Sequence, residues 1–459
     1  MSELNPQQSR FSDFLKNPSK ALWTLATPIM VGMLAQTLYS VVDMMFIGRL
    51  GGDAIAAVAF NMPLFFLVLG VTVGIGSGVT ASIARFVGAK QKSNADNSAE
   101  HALFLGIIIS GILTTLGLLY GRNVLSLIGA PDSLVDLSWL YLRINVLGIP
   151  FLVLSILFRS IMSGEGDTKS PMIVEGSGTI LNIILDPIFI FALGFGVPGA
   201  AMASVISRGI VFFVFVYMLF FKKHTYITFN LKDFSLSGSI LADIVKVGFP
   251  ASVSMVVMSI GQLSFNKILV HFSTDTVAAY QIGGRLDMIV FMPILSIAVG
   301  MTTLVGMFYG ANEPQKVRWI IRYGIQRSFM ITALLSIAIY SFAPVIVKGF
   351  SSDAFIQATA VRYIRLMTLI YPLVSIGLTS GRILQGFGLG FPMLVITLVR
   401  VLIVAVPLAL VFVFVYEKPV EWVWYSMMTS AGLSMFVSLG WLKYAFGRFL
   451  TVVSSVGKE

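Results

Sequence analysis

Asp43 is a carboxylate inside an apolar stretch, and it raises the first chemical question this chain poses. It belongs to the segment Gln36-Thr-Leu-Tyr-Ser-Val-Val-Asp-Met-Met-Phe-Ile-Gly-Arg-Leu50, within the first long hydrophobic run. A charge in such a run is costly, and it faces a bundle interior or a watery cavity. On a helix, Gln36, Tyr39 (or Ser40) and Asp43 share one face, which stacks amide and phenol groups below an acceptor charge. A second carboxylate, Asp186, closes the segment Thr179-Ile-Leu-Asn-Ile-Ile-Leu-Asp-Pro. Glu175, Thr179, Asn182 and Asp186 fall at i, i+4, i+7 and i+11, which predicts a polar stripe on an apolar helix. Pro187 cannot donate to the Ile183 carbonyl, so a bend is expected beside the carboxylate.

Together with Asn182 and the Ser204 hydroxyl, the two aspartates form a set of hard oxygen ligands. That set suits a proton or Na⁺, with Asp186 and Asn182 as the Na⁺ candidates. A depth estimate places them together. At ~1.5 Å per residue Asp43 lies about 9 Å below Arg49 at the outer end of its span. On the same scale Asp186 lies about 22 Å above Pro171 at the inner start of its own. Both then fall in the outer half of the bilayer. The plainer alternatives are a helix-break cap or a packing ion pair for Asp43, and a helix end for Asp186. Gln36, Tyr39, Asn61, Thr179 and Asp287 are the substrate-cleft candidates, and Pro28 and Pro187 the candidate hinges. Lys267 is expected to snorkel to the surface, with a pairing to Asp287 as the alternative.

The elements that must hold these groups follow from composition. The chain has 459 residues, 57% hydrophobic and 11% charged, whereas a soluble protein carries roughly 25% charged residues. Repeated runs of ~20 apolar residues define a polytopic membrane protein. Twelve transmembrane helices are predicted, between 21–48 and 421–446, making an all-α fold. Without cysteine there are no disulfides, thiol catalysis or Cys-ligated metals. His101, His224 and His271 are far apart and near span ends, which argues against a His-based site. The net charge of +10 is spread over loops, fitting topology signals rather than nucleic acid. No cleavable signal peptide is expected. Lys90, Lys92, Lys169, Lys222, Lys223, Lys232, Lys316 and Arg318 fall on connections to one side, together with both tails. The positive-inside rule therefore predicts cytoplasmic termini in the cell membrane.

The halves repeat. Pro28 and Pro250 are 250 − 28 = 222 positions apart. The same offset relates Ala56-Ala57 to Ala278-Ala279, Gly78 to Gly300, Tyr141-x-Arg143 to Tyr363-x-Arg365, and Gly164 and Gly166 to Gly386 and Gly388. Six helices per repeat give both halves one orientation, hence a parallel, pseudo-symmetric repeat about an axis along the membrane normal, and transporters built that way bind substrate between the halves and rock them. The expected divisions are an N-terminal arm (1–20), an N-lobe (21–221), a linker (222–242), a C-lobe (243–447) and a tail (448–459). Asp43 and Asp186 break the repeat, because their counterparts are Phe265 and Leu408.

Several segments carry a family resemblance. They are Tyr39-Ser-Val-Val-Asp-Met-Met-Phe-Ile-Gly-Arg-Leu-Gly, Gly164-Glu-Gly-Asp-Thr-Lys-Ser-Pro-Met, Asn182-Ile-Ile-Leu-Asp-Pro-Ile-Phe and Gly196-Val-Pro-Gly-Ala-Ala. With Pro28 and Gly74 to Gly88-Ala-Lys, they make the chain resemble the multidrug and toxic compound extrusion family in its DinF-like branch. The resemblance implies two pseudo-symmetric six-helix lobes around a central cleft and ion-coupled (H⁺ or Na⁺) export of cationic amphipathic compounds without a cofactor, and the protein is expected to be monomeric. It also implies coupling through Asp43 and Asp186, with Asn182 and Ser204 at the ion site. Ser204 departs mildly from the threonine common in relatives. The competing expectation is a flippase for a lipid-linked precursor, kept open by Arg143, Arg285 and Arg365. An intramembrane enzyme lacks any nucleophile motif or metal-ligand spacing.

Overall fold

In hydrocarbon every backbone N–H and C=O needs an internal partner, so long apolar runs fold as helices. The computed structural model describes residues 6–222, 225–230 and 234–456, and among them it holds helices and no strand. Lys223, His224, Lys232, Asp233 and Lys458 lie outside the described residues. The first half runs α1 (Pro6–Lys16), α2 (Pro18–Gly48), α3 (Gly52–Ala59), α4 (Met62–Gly88), α5 (Lys92–Leu127), α6 (Asp132–Leu147), α7 (Ile149–Gly164), α8 (Lys169–Pro187) and α9 (Gly196–Val216). The second runs α10 (Gly238–Val270), α11 (Thr274–Gly310), α12 (Pro314–Lys348), α13 (Ala354–Gly386), α14 (Phe391–Leu398), α15 (Val406–Leu410) and α16 (Glu421–Val456). Wide π turns extend or join several of them, at Ile188–Ala192, Tyr217–Phe221, Val399–Ala405 and Val411–Val415.

Ten helical stretches among the described residues are long and apolar enough to cross a bilayer. The α6–α7 pair makes an eleventh, bent by 46°. Pro150, in the first turn of α7, has no N–H to continue the α6 ladder, and the bend falls at that point. α16 is of spanning length but more polar, owing to Ser426, Ser430, Ser434 and Ser438. Each of those hydroxyls is satisfied by the carbonyl three residues before it. The chain is therefore a multi-pass, all-α membrane protein. The apolar runs at 52–88 and 132–164 are each two helices. The first breaks at Asn61, whose side chain bonds back to the Ala57 carbonyl at 2.7 Å just before Pro63 opens α4. From Pro6 to Lys16 the N-terminal arm forms α1, with Phe11 and Phe14 buried.

The repeat is visible in the backbone and in side-chain contacts. Lys90 and Asn312, 222 positions apart, are both left-handed (φ 58° and 54°), as are Gly166 and Gly388 (φ 90° and 82°). Thr80 donates to the Ser160 carbonyl at 2.9 Å, locking α4 to α7, and Thr302 repeats this on the Arg382 carbonyl at 3.0 Å. A Cβ on Gly164 would lie 2.9 Å from Ile83 Cβ, and one on Gly386 would lie 3.1 Å from Val305 Cβ. Both contacts need glycine because the helices touch there.

Two compact units result, one of Met1–Phe11 and Thr27–Gly248, the other of Ser12–Ala26 and Phe249–Glu459. Each unit thus takes the opening turns of the other half's first long helix. Matching contacts hold these turns: Gly78 of α4 abuts Ile244 and Gly248, and Gly300 of α11 abuts Leu22, Leu25 and Ala26. α2 passes from one unit to the other beside Pro28, and α10 beside Pro250.

In the first unit the segment after α9 is strapped down by acidic side chains. Glu165 Oε2 accepts the N–H groups of Tyr226 (2.9 Å) and Ile227 (3.3 Å). Asp96 Oδ1 accepts that of Thr228 (3.0 Å), and Glu100 Oε1 that of Asn230 (2.9 Å). Burial pushes the Glu165 carboxyl up to about 8, against the hydrogen bond from Ile227. Burial also penalises the neighbouring Asp167 anion. The Ser170 N–H and the Arg10 guanidinium, 3.2 Å away, outweigh that penalty and hold Asp167 below the usual carboxylate range.

A buried carboxylate pair at a cavity wall

The first unit holds an open-sided cavity of about 430 Å³ walled by α2, α3, α4, α5, α6, α7 and α9. That volume is the size of a small organic ligand site. α2 presents Gln36, Tyr39, Ser40 and Asp43 to it, the face expected from their spacing. Its opposite stripe, Leu34, Leu38, Val41 and Met45, is exposed and suits lipid. The remaining wall is largely aliphatic and aromatic, with Met62 and Phe65 of α4 among its members.

Asp43 is placed by the end of α2. There Ile47 packs with Val58, Ile190 and Val197, and Phe46 meets Phe191 edge-on at 6.3 Å. Ile190 and Phe191 belong to the π turn that follows Pro187. The end of α2 is thus pinned to the segment directly beyond Asp186. A π turn widens the helix where proline has removed a ladder bond. α8 also lies close against α9: a Cβ on Gly178 would stand 2.1 Å from Val211 Cγ2. That approach brings Asn182 and Asp186, both buried, up to the Ser204 face.

The result is an acidic pair. The Asp43 and Asp186 carboxyls lie within hydrogen-bonding reach of each other. Asn182 Nδ2 donates to Asp186 Oδ1 at 3.1 Å. Asp43 Oδ1 and Asp186 Oδ2 are buried without a hydrogen-bond partner among the described residues. Two carboxylates this close repel as anions and attract as soon as a proton or small cation enters. Tyr39 OH and Ser204 Oγ stand 3.2 Å apart, joining α2 to α9 beside the pair.

The structure brings Gln36, Tyr39, Asp43, Asn61 and Ser204 to the cavity wall, with Asn182 and Asp186 behind it. Asn61 also donates to the Ser138 carbonyl at 3.2 Å, and its own oxygen is buried without a partner among the described residues. Thr179 is not among the wall residues. Asp287 belongs to the second unit, where the Tyr363 hydroxyl (2.8 Å) and that of Tyr371 donate to its carboxylate. Lys267 forms no ion pair with it among the described residues. Glu175 leaves the expected polar stripe to pair with Arg159 at 3.1 Å. Of the arginines that supported a flippase, Arg143 and Arg285 are absent from the wall and Arg365 lies over the Tyr340 ring. No group of three or more His, Cys, Asp or Glu side chains able to hold a metal occurs among the described residues.

Sequence reasoning missed Tyr141, Asn145 and Arg208, all on the wall. Arg208 had a signal available: it is a charge within an apolar run, one helical turn after Ser204.

The MatE family model matches the chain twice, over residues 28–188 and 250–411, the two copies of the 222-residue repeat. The chain is 30% identical over 334 residues to the probable multidrug resistance protein YoeA of Bacillus subtilis, covering 71% of this chain and 72% of that one. It is also 30% identical over 393 residues to the probable multidrug resistance protein NorM of Thermotoga maritima, covering 83% of each. A crystal structure of MATE in the bent conformation matches with a TM-score of 0.91 and 32% identity, over 95% of this chain and 97% of that one.

Proposed function

Because this chain belongs to the MatE family, a family of multidrug efflux transporters, we propose that it is an ion-coupled antiporter whose switch is the Asp43–Asp186 pair. The carrying observation is that each carboxylate keeps one buried oxygen without a partner among the described residues, at the wall of an apolar cavity. In the ionised state Asp43 attracts the cationic head of an amphipathic compound whose apolar body packs against Phe65 and the aliphatic wall. A proton or Na⁺ entering from outside takes the place between the two carboxyls and cancels the charge that held the compound. Asn182 orients Asp186, and Tyr39 with Ser204 keeps α2 and α9 in register while this exchange occurs.

The exchange is transmitted along helices whose hydrogen-bond ladders are interrupted by proline. Pro28 lies inside α2 beside the crossing between units, and Pro187 sits between α8 and the π turn. Each monovalent ion moving inward contributes ~2.3 kcal/mol per 100 mV of membrane potential. The protein works as a monomer in the cell membrane with both termini cytoplasmic, as the Lys/Arg distribution favours. The test is efflux of rhodamine 123, a cationic ester dye, from vesicles under a pH gradient or a Na⁺ gradient imposed separately. Wild type should respond to one gradient and Asp43→Asn to neither. Equal gradient-driven efflux by the variant would overturn the proposal.

A further inference from the structure

Arg208 is the cationic group of the cavity wall, and the proposed export mechanism leaves it unused. It sits on α9 one turn beyond Ser204, so both side chains face the cavity. Its guanidinium donates to Asn145 Oδ1 at 3.2 Å and lies over the Phe65 ring, 5.4 Å from the centroid. No carboxylate oxygen among the described residues comes within the 4.0 Å of an ion pair with it, although its charge reaches Asp43. An arginine kept only to neutralise Asp43 would close on it as a forked pair. Here an amide oxygen and an aromatic face hold the planar fork off the nearby carboxylate. A guanidinium carries five N–H donors, and among the described residues Asn145 engages one of them while the side chain lines the cavity. Propped, half-buried and aimed at open space, the group is a receptor for an oxyanion.

We propose that Arg208 is a specificity-determining residue that binds the carboxylate of zwitterionic amphiphiles while Asp43 binds their cationic end. The cavity is then amphoteric: cation at α2, anion at α9, apolar body along Phe65. This rests on the cavity being the substrate site of the exporter. In the second repeat the matching residue is Ser430, whose hydroxyl is spent on its own helix, so the receptor belongs to the first unit alone.

The test uses a matched dye pair on the purified full-length protein in detergent, read by fluorescence polarisation. Rhodamine 110 carries a free carboxylate, and rhodamine 123 is its methyl ester. Losing a charge-assisted hydrogen bond corresponds to roughly tenfold or more in affinity. Arg208→Gln should lower the affinity for rhodamine 110 about tenfold relative to that for rhodamine 123, which stays bound. Arg208→Lys should fall between the two for rhodamine 110. Retained ester binding shows that each variant keeps a folded cavity. Equal weakening of both dyes, or no change in either, would overturn the proposal. Failure of the transport reading shows elsewhere, as gradient-driven efflux of rhodamine 123 that survives Asp43→Asn.

Discussion

The Tyr39 hydroxyl lies 3.2 Å from Ser204 Oγ, one helical turn before Asp43 on α2 and one turn before Arg208 on α9. This contact sets the spacing between the acidic and basic ends of the cavity. A neutral hydrogen bond of this kind is worth about 1 kcal/mol. Tyr39→Phe and Ser204→Ala should each weaken rhodamine 123 binding by about fivefold, and the double variant no further. Additive losses would show that the two groups act separately.

The approach of α8 to α9 at Gly178 should be equally sensitive. A methyl there meets Val211 at 2.1 Å, so Gly178→Ala must push the helices apart or displace Val211. Overpacking of this kind costs about 1–3 kcal/mol. The variant should unfold several degrees earlier and lose ion-driven efflux, because Asn182 and Asp186 ride on the displaced helix. Adding Val211→Ala should restore both the melting temperature and efflux.

Docking of the segment after α9 should depend on pH through Glu165. Its carboxyl is pushed from 4.5 up to about 8 by burial, so the folded state holds a proton there that the unfolded state has lost. Protection is therefore complete below about 4.5 and declines as pH rises through about 8. Hydrogen exchange at the Tyr226 and Ile227 amides, corrected for the intrinsic rate, should report this loss. Glu165→Gln, a neutral isostere, should keep both amides protected across the range.

The prolines at the two crossings should affect rate more than binding. Pro28 lies where α2 leaves the second unit, so Pro28→Ala restores a ladder hydrogen bond and stiffens the passage. Efflux turnover should fall while rhodamine 123 affinity stays within about twofold, since the cavity residues begin a helical turn or more beyond it. A drop in affinity matching the drop in turnover would place Pro28 in the binding site instead.

Much of this organisation was legible in the sequence, for identifiable reasons. Periodicity placed Gln36, Tyr39 and Asp43 on one face, because a helix in lipid has no other way to satisfy its backbone. The 222-residue register was readable because Gly164 with Gly386 and Thr80 with Thr302 hold repeated contacts that tolerate little change. The same register exposed Asp43, whose counterpart Phe265 is buried in the second unit's apolar core. The helix breaks at Asn61 and Gly148 were hidden because apolar residues continue across both. A stripe on one helix does not say which neighbour each part faces, and Glu175 pairs with Arg159. The partners of Asp287, Tyr363 and Tyr371, lie two helices on, where local spacing could not find them. Arg208 acquires meaning only beside Asn145 and Phe65, from two other helices.

The central claim is that ion and cation compete for one carboxylate pair, and equilibrium displacement of rhodamine 123 from purified protein tests it most directly. Acidification or added Na⁺ should release the dye from wild type, with the release abolished in Asp43→Asn and strongly reduced in Asp186→Asn. Dye release from Asp43→Asn over the same range of acid or Na⁺ as from wild type would contradict the account.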